Sequence, residues 1–240
     1  MKNEPFAAKI AVMDKLAHTR GGMAEHVVAY LSERIIAGGL PPEAHLVETA
    51  IAAELGISKT PVREALRRLQ ETGLVEIFPY RGAFVRRITP RFVKEVISLR
   101  TNLEVFAVQL ALNSFTSKDF ETLENYAQQM DMFAQAGDQL AALRLDVGFH
   151  MLFYQRADHL LLLENWQMLL PRIELLQAYG RLNASPMVKG QVEERHLALV
   201  AALRTGDPDA ASRAVRKHIE LGPHMIFGNE FIVRLENDPT

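Results

Sequence analysis

The stretch Leu46–Val85, LVETAIAAELGISKTPVREALRRLQETGLVEIFPYRGAFV, decides the fold of the 240-residue chain that carries it. Ile51 and Leu55 share one face of a short helix from about Val47 to Leu55, and Gly56 supplies the C-cap that ends it. Ser58 reads as the N-cap of the next helix, with Thr60 and Pro61 in its first turn. Val62, Leu66 and Leu69 form that helix's apolar stripe, and its other face carries Lys59, Arg63, Arg67 and Arg68. Gly73 closes it. Two β-like runs follow, Leu74–Phe78 and Ala83–Ile88, joined by Pro79-Tyr80-Arg81-Gly82, which is a hairpin signature. Upstream, Val27, Val28, Leu31, Ile35 and Ile36 recur at helical spacing from Met23, and Gly38-Gly39 and Pro41-Pro42 stop that helix. Helix, short helix, glycine turn, basic helix and hairpin is the order of a winged helix-turn-helix.

Around this core the composition is that of a globular protein, 48% hydrophobic and 23% charged. The absence of cysteine excludes a disulfide framework, a thiolate nucleophile and Cys-based metal sites. The longest uncharged apolar runs fall short of the ~18 residues that a membrane-spanning helix needs, so the expected setting is soluble and cytoplasmic. The net charge is −2, yet the segment from Ser58 to Arg87 holds seven basic and three acidic residues, a local +4. Such a patch suits a phosphate backbone, and it also suits a solvated helix face.

From Thr89 onward no strand pattern appears. Thr89-Pro90 opens a long amphipathic run to about Asn113, and further helix starts fall at Ser117, Gly137-Asp138, near Asp158, Ser185-Pro186 and Asp207-Pro208. The expected fold is mainly α: an N-terminal winged helix-turn-helix of three helices plus a β-hairpin, then an all-α bundle of six or seven helices. The expected division is an arm over 1–22, a winged helix-turn-helix domain over 23–88, an all-helical domain over 89–222 and a tail over 223–240.

Within the helical part, Asp146 and His150 stand four residues apart on one helix and share a face. His196 falls on the stripe of Val192, Leu199, Val200 and Leu203, and His218 on that of Ala211, Val215 and Leu221. Three histidines on three helices thus point toward the core. Three imidazoles and a carboxylate are a normal nitrogen/oxygen shell for a divalent ion such as Zn²⁺, Ni²⁺ or Mn²⁺. His18, His26, His45, His159 and His224 match no pattern and read as surface residues. Arg100 lies between Val96 and Leu103, close to the apolar face of the first bundle helix; it either snorkels to water or faces a pocket. Glu104, four residues on, could pair with it or could equally face solvent.

The run from Leu46 to Val85 resembles the DNA-binding domain of GntR-family transcriptional regulators, most specifically in Thr-Pro-Val-Arg-Glu-Ala-Leu at 60–66, Gly-Leu-Val at 73–75 and Arg-Gly-Ala-Phe-Val at 81–85. The helical remainder resembles the effector domain of the FadR subfamily. Lys59, Thr49 and Pro42-Glu43 depart from the family's usual residues. A recognition helix sets its N-terminal residues, here Ser58, Lys59, Thr60 and Arg63, at base edges in the major groove. The resemblance implies that Arg63 is the strongest base reader, that Gly82 is a wing tip that approaches the minor groove, and that Arg81 meets phosphate; Arg67 is a further DNA-facing candidate. It also implies that Asp146, His150, His196 and His218 hold a metal, and that Arg100 grips the carboxylate of an effector. The expectation is a homodimeric, non-enzymatic repressor that binds a palindromic operator in double-stranded DNA and responds to a small organic acid. The competing readings are a metalloenzyme and a direct metal sensor.

Overall fold

The computed structural model describes residues 22–183 and 191–221. The chain divides after Arg86 into two compact units. The arm over 1–21, the helix start at Ser185-Pro186 and the tail over 223–240 lie outside the described residues.

The first unit opens with helix α1, Met23–Ile36, which buries Ala24, Val27, Leu31 and Ile35. Strand β1, His45–Leu46, leads into helix α2, Glu48–Leu55. Gly56 ends α2 at φ 67°, a left-handed conformation that costs glycine nothing. Helix α3, Lys59–Thr72, buries Val62, Ala65, Leu66 and Leu69, which is the stripe expected from the sequence with Ala65 added. Ser58 holds the extended N-cap conformation, but its hydroxyl makes no capping bond. Gly73 stops α3 at φ 81°. Strands β2, Val75–Phe78, and β3, Gly82–Val85, pair antiparallel, with Val75 opposite Val85 and Phe78 opposite Gly82.

Two details differ from the hairpin expected. The sheet has three strands in the order β1-β3-β2, because His45 and Leu46 pair with Phe84 and Ala83. A two-residue strand shows no alternation that a sequence could reveal. Strand β3 also ends at Val85, short of Ile88. The Arg86 N–H still reaches the Leu74 carbonyl at 2.8 Å, but the Gly73 turn leaves no strand beyond it to pair with.

The second unit is helical throughout its described residues. Helix α4 spans Pro90–Ala111, with Pro90 in its first turn and the Thr89 hydroxyl accepting the Phe92 N–H at 3.1 Å. A short 3-10 turn, Leu112–Ser114, follows. Helix α5, Ser117–Ala136, starts at a reciprocal capping box in which Thr116 and Asp119 satisfy each other's backbone N–H. Helices α6, Gln139–Ala157, α7, Leu160–Asn183, and α8, Val192–Arg204, come next, and a further helix, α9, runs through 208–221. Helix α6 is central. It packs against α4, α5 and α7, and α8 packs against α5. Phe149, Phe153, Tyr154 and Trp166 are enclosed at the heart of the bundle. No helix of the described residues is long and apolar enough to cross a membrane.

Candidate functional site

In the first unit, the polar face of α3 presents Ser58, Lys59, Thr60, Arg63 and Arg67 to solvent. Arg63 is not loose. Its guanidinium grips Glu48 of α2 bidentately, with Nε 3.1 Å from Oε1 and Nη2 2.8 Å from Oε2. The hydrogen bonds from Arg63 hold the Glu48 carboxyl below its ordinary range against the opposing effect of burial, and the fields of Arg63, Lys59 and Arg67 add to this. Glu48 is absent from the sequence reading because a lone acid at a helix start looks like a dipole partner. Arg68 lies apart from this group, paired with Glu64 and Glu25.

The wing is built on rings. His45 stacks on Phe84 at 4.6 Å, and Phe84 meets Phe78 edge-on at 6.0 Å. Arg81, expected at phosphate, lays its guanidinium 5.4 Å from the Phe78 ring centre. Gly82 has φ 96°, and a Cβ there would stand 2.9 Å from His45 Nε2, so conformation and space both demand glycine. His45, read as a surface residue, is therefore part of the wing.

In the second unit, His150 of α6, His196 of α8 and His218 of α9 converge, with one ligand-type nitrogen from each within 4.8 Å of the others. All three are buried. His196 Nδ1–H donates to the Val192 carbonyl at 2.7 Å, which leaves Nε2 with its lone pair. His150 Nδ1–H donates to Glu104 Oε2 at 2.6 Å, which likewise frees Nε2. Neither Nε2 has a hydrogen-bond partner, nor has His218 Nδ1, and all three atoms are fully enclosed. Burial lowers the pKa of His196, with Asp146 opposing; burial and the two neighbouring imidazoles push His218 well below its ordinary value. Imidazole nitrogens that are buried and keep their lone pairs are the form a divalent ion binds. Asp146 stands at the edge of the triplet, Oδ1 at 3.3 Å from His196 Nε2 and Oδ2 accepting from Gln177.

Of the two placements open to Arg100, the structure takes the inward one, with Glu104 as its partner. The arginine is 5% exposed, and its Nε donates to Glu104 Oε1 at 2.7 Å. Glu104 is fully enclosed and spends its other oxygen on His150, so one carboxylate ties the guanidinium to the cluster. Burial alone would raise the Glu104 pKa, but Arg100 and His150 bring it below its ordinary value. The i,i+4 spacing places Arg100 and Glu104 on one face, and of the two options it left open the pair is the one formed. Arg100 also lies 5.8 Å from the Trp166 ring, itself stacked on Tyr154 at 4.6 Å. Tyr154 OH, Trp166 Nε1 and Arg195 Nε are further buried donors without acceptors.

A basic reading helix with a hairpin wing, joined to a helical unit that encloses a ligand-type cluster, defines a DNA-binding transcription regulator. Comparison with known proteins specifies the class. Residues 23–85 match the bacterial regulatory proteins of the gntR family, and residues 95–221 match the FCD domain. The chain is 32% identical over 201 residues to a probable D-xylose utilization operon transcriptional repressor of Paenarthrobacter nicotinovorans, covering 84% of this chain and 87% of that one. It is 29% identical to the HTH-type transcriptional regulator McbR of Escherichia coli over 181 residues, 75% of this chain and 81% of that one. The fold is that of the solved E. coli McbR/YncC, with TM-score 0.73 at 24% identity over 88% of this chain and 99% of that one. The chain belongs to the GntR family of bacterial regulators, in the branch that carries a FadR-type FCD domain.

Proposed function

We propose that this regulator is a homodimeric repressor that reads a palindromic operator with Ser58, Lys59, Thr60, Arg63 and Arg67, and places Arg81 and Gly82 of the wing against the minor groove and its phosphates. A divalent ion on His150, His196, His218 and Asp146 forms the floor of an effector site in the second unit. The observation that carries this reading is the set of three enclosed histidine nitrogens without partners. Leaving three such atoms unpaired is costly, and one ion satisfies them together. Zn²⁺, Ni²⁺ and Mn²⁺ all suit the donor set.

The effector is a small organic acid with more than one oxygen. Arg100 uses Nε on Glu104, which leaves its two terminal nitrogens for a carboxylate. Tyr154, Trp166 and Arg195 offer further N–H and O–H groups. Two exposed apolar rows support the dimer. Helix α4 leaves Leu99, Phe106 and Leu110 bare, and α7, packed beside it, leaves Leu160, Leu161 and Met168 bare. Such paired rows are the usual material of a two-fold interface.

The test is metal analysis of chain purified without chelators, followed by thermal denaturation of the metal-loaded protein with a panel of hydroxy acids and sugar acids. About one ion per chain, and a melting temperature that rises with one acid class by mass action, are expected. Absence of metal from the wild type, with no stabilisation on adding Zn²⁺, Ni²⁺ or Mn²⁺, refutes the site.

A further inference from the structure

The tip of the wing is the turn Phe78-Pro79-Tyr80-Arg81, closed by the Arg81 N–H donating to the Phe78 carbonyl at 3.2 Å. Proline fixes φ near −65° at its second position. Tyr80 follows at φ 63°. That sequence of angles is a type II turn, whose third position requires positive φ and is taken by Gly or Asn. A tyrosine there carries the steric penalty of the left-handed region, which Gly or Asn would largely avoid. The fold gives it no compensating contact. Tyr80 is fully exposed, and among the described residues the ring contacts of the wing join Phe78, Phe84, His45 and Arg81 without it. Arg81, the neighbour that could have led the tip, is folded back over Phe78. Gly82 has no side chain. Tyr80 therefore is the most exposed large hydrophobic side chain of the wing among the described residues.

A strained, bare aromatic at the tip of a nucleic-acid-binding element is explained by the partner that covers it. We propose that Tyr80 is a DNA-contacting residue. In the complex its ring lies in the minor groove beside the Gly82 backbone, its apolar face against the deoxyribose edges and its hydroxyl donating to a base-edge acceptor. Adenine N3 and thymine O2 offer that acceptor freely, whereas the guanine amino group obstructs it. Tyr80 thus adds a preference for A·T pairs where the wing sits, outside the bases read by α3. The inference rests on the reading that the wing enters the minor groove.

The experiment uses the full chain. The wild type selects duplexes from a random 40-bp library, and the winning duplex is the probe for Tyr80→Asn, Tyr80→Gly and Arg63→Ala in gel-shift titrations over a salt series. Tyr80→Asn and Tyr80→Gly are expected to lose roughly tenfold in affinity, the scale of one good base-edge contact. The slope of log affinity on log salt stays that of the wild type, because tyrosine carries no charge. The melting temperature of the free protein stays equal or rises, because Asn and Gly accept positive φ. The winning duplexes carry A·T at the wing position, and replacing those pairs with G·C weakens the wild type but not Tyr80→Gly. Binding by Tyr80→Asn within twofold of the wild type overturns the proposal, and so does a lost affinity accompanied by a lowered melting temperature. Arg63→Ala separates the two readings: if it alone loses the probe, helix reading stands and Tyr80 is wrong, and if it binds like the wild type, the recognition-helix assignment itself fails.

Discussion

The chain contains two arginine–glutamate pairs that do opposite things. Arg63–Glu48 joins α3 to α2 at the surface, where the arginine side chain is 59% and the glutamate 33% exposed. Arg100–Glu104 sits within α4 with 6% and 0% exposure, and the same glutamate holds His150. Solvent screens the first pair, so it adds little to stability and the guanidinium can leave it for another partner at little cost. The second pair cannot be broken cheaply, because either partner alone is a buried charge. Exposure therefore separates an arginine poised to exchange its acid for a ligand from one committed to shaping a site.

The largest effect expected tests that commitment. Glu104→Ala strands the Arg100 guanidinium and costs about 3–5 kcal/mol of stability, read as a lower melting temperature. The same variant frees the His150 ring and weakens metal affinity about 10–100-fold, the usual consequence of losing the group that orients a ligand. Arg100→Ala acts in the same direction, on metal affinity as well as on effector binding. If Glu104→Ala keeps both the stability and the metal affinity of the wild type, the distinction between the two pairs collapses.

Next in size is the response to acid. His196 and His218 have folded pKa values below that of an unfolded histidine, so the unfolded chain takes up protons that the folded chain does not. Their contribution is fully present above about pH 6.5 and is lost as pH falls toward the folded values, by up to about 1.4 kcal/mol per pH unit for each histidine. Urea unfolding of metal-free protein between pH 7.5 and 5 measures this, and bound metal steepens the fall because protons displace it. A flat profile contradicts the burial-driven shifts.

Arg63→Ala removes base readout without touching the core. It costs about 1–3 kcal/mol of discrimination per lost bidentate contact and leaves the melting temperature close to that of the wild type. Competition between the selected duplex and random DNA at fixed salt measures it.

Helix boundaries were legible where chemistry marks them: Gly56 and Gly73 beyond helix ends, Thr89 before one helix start and Ser117 at another, and the histidines on apolar stripes at a 3.6-residue period. Partnerships were not. Periodicity says which face a residue occupies, but it does not say that Glu104 meets His150 forty-six positions away or that Glu48 crosses to Arg63. Spacing offers Glu104 to Arg100 but does not decide between that pair and solvent, and it gives no sign of the bond to His150. Strand β1 escaped notice because two residues have no period.

The smallest effect tests the exposed pair directly. Glu48→Gln keeps the shape of the side chain and removes its charge, so stability changes by less than about 1 kcal/mol. Two consequences for DNA run in opposite directions. Glu48 places a negative charge among Lys59, Arg63 and Arg67, whose fields it feels. Neutralising it removes a repulsion toward phosphate, and affinity for random duplex rises. Arg63 meanwhile loses the two-point grip that fixes its planar fork, so more rotamer freedom must be frozen when it docks on guanine. Affinity for the selected duplex then gains less than affinity for random duplex, and the ratio of the two falls. Titrating wild type and Glu48→Gln with both duplexes at one salt concentration gives that ratio. A ratio unchanged by the substitution means that Arg63 reaches its base without help, and that Glu48 is only a surface counter-charge.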